Sequence, residues 1–258
     1  DRLTVTAGAR LTQDDKAHAI TSIDFTTFLP SRRAEDDSWS AFTPKLGVEY
    51  RPNDDTLLYG SVTTGFKSGG FNSVSQQPSF DEEQILSLEV GVKATLAQRK
   101  VTLNAALFDY DYDDLQVSVL FPDRQTVENA AAAGLRGAEI DLRLRPNPQF
   151  EASLGVAALD DQFDEFFSQD PLVVGQVQDA LNQAGIFDPA TIAAAAAAVP
   201  ISDLSGNGLP NAPDLAATAS LQYTFLIGDS GSVTAATTLS SSRARTASAR
   251  TAVNSSSN

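Results

Sequence analysis

Few residues in this chain can do covalent chemistry, and their spacing does not build a catalytic centre. There is one histidine, His18, and there are no cysteines. A nucleophile needs a base within hydrogen-bond reach, and His18 sits in a polar segment that reads as surface. Asp109, Asp111 and Asp113 fall on one face of a strand and resemble a carboxylate set. Nothing in the sequence raises one pKa against another, so a solvated cluster at a strand top is the plainer reading. Gly65-Phe66-Lys67-Ser68-Gly69-Gly70 carries glycines and a lysine but lacks the Gly-Lys-Ser/Thr ending that opens a phosphate-binding helix. Disulfides and thiolate metal sites are excluded, and one imidazole cannot make a histidine-rich metal centre. The expectation is a protein with no catalytic residues, no cofactor and no metal.

The elements that would position ligand-contacting residues are strands. From Leu86, the residues Leu86, Leu88, Val90, Val92, Ala94 and Leu96 are apolar, while Ser87, Glu89, Gly91, Lys93 and Thr95 alternate with them. A period of two places these sets on opposite faces; helical spacing would mix Leu86 and Val90 with Glu89 and Lys93. The length matches the roughly 9–11 residues of a tilted membrane-crossing strand. The same alternation predicts strands at Arg2–Gln13, Trp39–Arg51, Thr56–Lys67, Val101–Tyr112 (continuing past a kink as Leu115–Leu120), Asn129–Arg145, Gln149–Leu159, Asp214–Phe225 and Ser232–Ser240. Short turns are expected at Pro52–Asp55, Ala97–Lys100, Pro146–Pro148 and Gly228–Gly231. Long polar connections are expected at residues 14–38, 68–80, 121–126 and 160–213. Asp188 before Pro189 suits a helix N-cap, and the alanine run after it favours helix. One or two short helices are therefore predicted in the last connection.

Short and long connections alternate without exception, as in outer-membrane barrels. Acidic clusters follow the long connections: Asp14/Asp15, Asp36/Asp37, Asp81/Glu82/Glu83, Asp109–Asp114 and Asp160–Glu165. Solvated strand ends explain them, and divalent cations bridging to lipid phosphates are the sharper alternative. Trp39 and Tyr50 are read as residues of an aromatic belt at the membrane boundary; Tyr59, Phe66 and Phe71 are belt or packing residues. The net charge of −15 argues against nucleic acid as a partner. No apolar run is long enough for a transmembrane helix. A hydrophobic content of 42% suits soluble proteins and membrane barrels alike. With no methionine, the chain is expected to be a piece of a longer protein, its signal segment outside it.

"FTPKLGVEYRPNDDTLLYGSVTTGFKSGGFN" resembles the barrel of TonB-dependent outer-membrane receptors, in which strand, Pro-Asn-Asp turn and a strand ending Gly-Phe-Lys-x-Gly-Gly-Phe-Asn follow one another. "LSLEVGVKATLAQRKVTLNAALFDYDYDDLQV" and "VENAAAAGLRGAEIDLRLRP" are similar to the hairpins that follow. The likeness runs to about Phe225. It implies an all-β fold: antiparallel strands of a large transmembrane β-barrel, incomplete at about nine strands, with a helical insertion in one long loop. Residues 1–240 are read as the barrel piece and 241–258, "SSRARTASARTAVNSSSN", as a low-complexity tail. The resemblance further implies the outer membrane of a Gram-negative cell and energy-coupled uptake of a scarce ligand, a ferric siderophore being the commonest cargo. Its partners would be the ligand, outer-membrane lipid and a TonB-type energy-transducing complex reached through an N-terminal plug. Neither that plug nor its TonB-engaging motif is found here, and the family's barrel has about 22 strands. The piece is therefore expected not to transport by itself. Lys67, Phe71, Asn72, Phe80, Tyr110 and Tyr112 are the ligand-contact candidates near the extracellular mouth; for each, ordinary loop and strand-end packing is the competing reading. A passive porin-like barrel and a soluble β-rich carbohydrate-binding module are the rival functions.

Overall fold

A computed structural model of the chain describes residues 1–23, 30–72, 79–120 and 125–243. The strands are β1 (Leu3–Ile23), β2 (Pro30–Asn53), β3 (Thr56–Lys67), β4 (Gly70–Phe71), β5 (Ser79–Phe80), β6 (Glu83–Leu96), β7 (Val101–Leu120), β8 (Gln125–Asn147), β9 (Phe150–Glu165), β10 (Phe167–Gln169), β11 (Ile201–Asp203), β12 (Leu215–Leu226) and β13 (Ser232–Arg243). Two helices, α1 (Pro171–Gln183) and α2 (Pro189–Ala197), lie between β10 and β11. Nine strands form one antiparallel sheet in the order β1-β2-β3-β6-β7-β8-β9-β12-β13. β4 pairs with β5 and β10 with β11 as small separate hairpins. The tail beyond Arg243 lies outside the described residues, as do 24–29, 73–78 and 121–124.

Register carries the two-faced character across the sheet. Tyr50 stands opposite Leu58, Leu58 opposite Val92, Val92 opposite Ala105, Ala105 opposite Ile140, Ile140 opposite Val156 and Val156 opposite Ala217. That row is one continuous apolar belt over seven strands. A period of two puts the interleaved polar residues on the other side. Among the described residues no second layer covers the belt: Leu88 is 42% exposed, Val90 55% and Ile140 47%. The buried apolar cluster lies elsewhere, at the long-connection end, where Val119, Ala133, Phe163, Phe166, Val174 and Val199 pack together. Strand extensions and the helical insertion build it, so the core stands beyond the apolar belt.

The turn chemistry explains the hairpin ends. Asn53 Oδ1 accepts from the Asp55 N–H at 3.0 Å in the β2–β3 turn, and Asn147 Oδ1 accepts from Gln149 and Phe150 in the β8–β9 turn. The β6–β7 turn runs through three left-handed residues, Ala97, Gln98 and Arg99, at φ 50, 56 and 67. The kink expected after Tyr112 is at Asp114, φ 54, within a β7 that otherwise continues to Leu120. Both helices form, and the cap expected at Asp188 is in place. Asp188 accepts from the Thr191 N–H at 2.9 Å with Pro189 next, and Asp170 accepts from the Leu172 N–H at 2.8 Å with Pro171 next.

One expectation fails clearly. Residues 14–38 are not a polar loop: β1 runs on to Ile23 and β2 begins at Pro30. The segment lacks an apolar face, so hydrophobic alternation is silent there. The register there sets Lys16 opposite Asp37 and His18 opposite Glu35, polar residues across both strands. The same underestimate shortened β8 and β9, which reach Gln125 and Glu165 through polar residues.

Candidate functional site

The polar face is a wall of glycines, rings and hydroxyls. Tyr59 lies against Gly91, its cross-strand partner; a Cβ there would meet the ring at 2.6 Å. Phe108 lies against Gly137 in the same way, at 2.4 Å. Glycine opposite each ring lets it lie flat along the wall, which keeps the space in front clear. The Tyr59 hydroxyl donates to Glu89 Oε1 at 2.7 Å, and the Lys93 ammonium sits 5.5 Å from the Tyr59 ring centre. Tyr110 stacks on Phe108 with centroids 4.9 Å apart. Lower down, Arg143 and Arg145 both pair with Glu151.

Above this wall, the segment after β3 folds across the polar face and is fastened on both sides. Lys16 Nζ of β1 donates to Ser68 Oγ at 2.5 Å and to the Gly69 carbonyl at 2.7 Å. It also stands over the Trp39 ring, 5.3 Å from the centre. Gly69 is pressed so closely on Trp39 that a Cβ would fall 2.4 Å from the indole nitrogen. On the far side, Gln116 Nε2 donates to the Ser68 and Asp81 carbonyls. Asn129 Nδ2 donates to the Asp81 and Asp114 carbonyls, and Asn129 Oδ1 accepts from the Asp81 N–H at 2.8 Å. Glu83 ties the base, accepting from the Gln116 N–H at 2.9 Å and lying 3.8 Å from Lys67 Nζ.

Against this frame the six candidates separate. Lys67 and Tyr110 stay on the wall, facing the space. Phe71 belongs to the fastening, stacked on His18 at 5.8 Å and edge-on to Trp39 at 5.9 Å. Asn72, only 6% exposed, imitates a strand neighbour: its Nδ2 donates to the Val127 carbonyl at 3.0 Å and its Oδ1 accepts from the Val127 N–H at 2.8 Å. Phe80 pairs with Gly70 and covers it with its ring. Tyr112 packs against the buried cluster of the helical insertion. The structure thus brings Phe71 and Phe80 into one clasp and holds Asn72 beside it, while Tyr112 stands with a different set of neighbours.

Two sequence readings are corrected here. Trp39 is not a belt residue: it is 6% exposed, on the polar face opposite in parity to Tyr50, under Gly69 and Phe71. His18 is not a loop-surface residue but a strand residue half-buried against Phe71, its Nε2 shielded. The His18 error follows from the mistaken loop, since counting by twos from Leu3 along the continued β1 assigns it to the inner side; Trp39 already lay in the expected strand, eleven residues from Tyr50 and so on the opposite face. Lys16, Gln116 and Asn129 leave no local pattern because their partners, backbone groups and for Lys16 also the Ser68 hydroxyl, lie far along the chain.

A single-layered antiparallel sheet, oily on one side and polar on the other, with long connections gathered at one end, is a piece of barrel wall of the membrane-crossing type. The family model for the TonB dependent receptor-like β-barrel matches residues 1–257, and the chain belongs to that family, whose members are transporters rather than enzymes. Solved structures share the fold. The ferric yersiniabactin uptake receptor FyuA from Yersinia pestis is 18% identical, with a TM-score of 0.61 over 92% of this chain and 35% of that one. The siderophore receptor PiuA from Acinetobacter baumannii is 16% identical, with a TM-score of 0.62 over 93% of this chain and 31% of that one. The ferric-catecholate import receptor Fiu from E. coli is 17% identical, with a TM-score of 0.59 over 91% and 31%. The chain spans about a third of the length of these receptors.

Proposed function

We propose that this chain is a section of the barrel of an outer-membrane receptor that takes up a ferric siderophore by energy-coupled transport. The supporting observation is the family match over residues 1–257, on a sheet whose apolar side is uncovered among the described residues. Lipid would cover that side, in the outer membrane of a Gram-negative cell. Cargo would enter from the end with long connections and meet the inner wall at Lys67 and Tyr110. Phe71, Asn72, Phe80 and Tyr112 would shape the mouth without touching cargo. The remaining wall, a plug within it and a TonB-type partner beneath would complete the machine. No bond is made or broken in the ligand; the chain's task is to bind and to line a path.

The test is uptake of iron-55 by iron-starved cells, with and without the receptor that carries this chain, in the presence and absence of a functional TonB. Accumulation that needs both is the expected result. Entry of the chelate independent of TonB would instead mark a passive pore, and a receptor recovered in the soluble fraction would refute the membrane reading.

A further inference from the structure

The connection from β3 to β6 reaches across more of the wall than neighbouring strands would require. Phe71 and Asn72 are consecutive, so their Cα atoms lie about 3.8 Å apart. Yet Phe71 stacks on His18 of β1, while Asn72 holds both backbone groups of Val127 on β8. In the sheet order β1 and β8 are five steps apart, about 24 Å along the sheet at the usual strand spacing. The wall curves round the connection for one dipeptide to reach both, and the connection runs as a chord across the concave, polar side.

The chord is built as a fixed part. Ties reach it from four strands: Lys16 on β1, Trp39 on β2, Gln116 on β7, and Asn129 and Val127 on β8. Gly70 pairs with Phe80 and Phe71 with Ser79, so its two halves move as one. Gly69, Gly70 and Asn72 are buried. A Cβ on Gly69 would fall 2.4 Å from both the Trp39 indole nitrogen and the Phe80 carbonyl oxygen, and one on Gly70 would fall 2.7 Å from the Phe80 ring. Segments that swing open are drawn from parts of a fold with few buried contacts, and this segment is of the opposite kind. Residues 68–72 and 79–80 carry no charged side chain, so a solute passing them meets bulk rather than field. Ser68 roofs one hollow of the wall, which meets a second at Gly65; Ser87, Thr63 and Tyr59 border the second.

We propose that residues 68–72 and 79–81, pinned by Lys16, Gln116 and Asn129, form a rigid sill that sets a size limit on what reaches the inner wall between β1 and β8. Compact chelates and small polar solutes pass it to reach Ser87 and Tyr59; a broad, rigid molecule is stopped at Phe71 and Phe80. Lys16, Gln116 and Asn129 are positioning residues, since they touch the sill and act on cargo only through it. The inference deepens the transport reading by giving cargo a size criterion, and it rests on that reading only for the nature of what passes.

The experiment uses the purified full receptor with a single reporter thiol, Ser87→Cys, any cysteine outside this chain being replaced by serine. Two reagents are compared: N-ethylmaleimide, and a maleimide fixed to a β-cyclodextrin ring, which is broad and rigid. Labelling is followed by mass spectrometry, and each rate is divided by the rate with free N-acetylcysteine, so that only access remains. N-ethylmaleimide is expected to react freely and the cyclodextrin reagent much more slowly. Gln116→Ala with Asn129→Ala removes ties to β7 and β8, and Gly69→Ala pushes the sill off Trp39. Each should raise the cyclodextrin rate roughly tenfold and leave N-ethylmaleimide unchanged, a split that a merely structural role would not produce. Heat-modifiable electrophoretic mobility confirms that each variant is folded; should neither fold, the comparison of reagents on Ser87→Cys alone decides. Equal normalised rates on Ser87→Cys overturn the proposal, as does a thiol that N-ethylmaleimide cannot reach, or a cyclodextrin rate unmoved in both loosened variants. Size selection in a receptor that accumulates no iron in cells would instead defeat the transport reading and leave the sill standing.

Discussion

Replacing Ile140 with arginine separates hydrocarbon from water as the medium outside the sheet. Ile140 is 47% exposed and faces outward between Ala105 and Val156. It lies four residues from Arg136 at one end of the apolar run on β8 and four from Leu144 at the other. At roughly 3.3 Å per residue each arm is about 13 Å of strand, and a tilt near 40° reduces that to about 10 Å of depth. The residue therefore sits close to the middle of the apolar band. Arginine at a bilayer midplane costs about 2–4 kcal/mol on the lipid face of a barrel. The same change on a half-exposed residue in water would shift stability by only about 0.5 kcal/mol. Ala157→Arg is the control, because Ala157 faces inward opposite Glu139. The assay is urea-driven folding of the full receptor into lipid vesicles, followed by electrophoretic mobility. Ile140→Arg should lower the midpoint sharply and Ala157→Arg hardly at all. Equal midpoints for wild type and Ile140→Arg would refute the reasoning, since an oily face without oil around it has no reason to reject a charge.

Two further outcomes are expected. Asn72→Ala removes both hydrogen bonds to Val127 and leaves a shielded backbone N–H without a partner, a local cost of about 1–3 kcal/mol; hydrogen exchange at Val127 should quicken while that at Ile140 stays slow. The Thr191 hydroxyl and N–H hold the Asp188 carboxyl below the usual aspartate range. Because the folded pKa is the depressed one, the contribution to α2 is present above the unfolded value and is lost as pH falls through the folded value. Exchange across Pro189–Ala197 should therefore accelerate in acid, and Asp188→Ala should show the faster rate already at neutral pH.

What could be read from the residues alone depended on whether they spoke locally. β3 was placed residue for residue because the Pro52–Asp55 turn before it and its Gly-Phe-Lys ending are local signals, although the adjacent Leu57, Leu58 and Tyr59 blur its alternation. Asp188-Pro189 located α2 because a cap is a contact between near neighbours. The upper halves of β1 and β2 stayed hidden because they carry no apolar face and their register partners lie far apart in sequence, Lys16 opposite Asp37 among them. The clasp over the inner face was beyond reach for the same reason: Asn129 binds Asp81 and Asn72 binds Val127, separations of 48 and 55 residues. Phe71 and Asn72 drew notice as loop-end residues, but only the fold shows that one stacks on His18 and the other completes a ladder.

Among the described residues β1 and β13 are the outermost strands of the sheet, each with one flank not paired by another strand. In water such a flank is solvated, but in hydrocarbon every amide without a mate is penalised by several kcal/mol. Over the dozen residues of β13 alone the sum would exceed anything the oily side could return. In the receptor proposed above, entry into the bilayer would then coincide with the pairing of both flanks to the rest of the wall, insertion and ring closure being one concerted event.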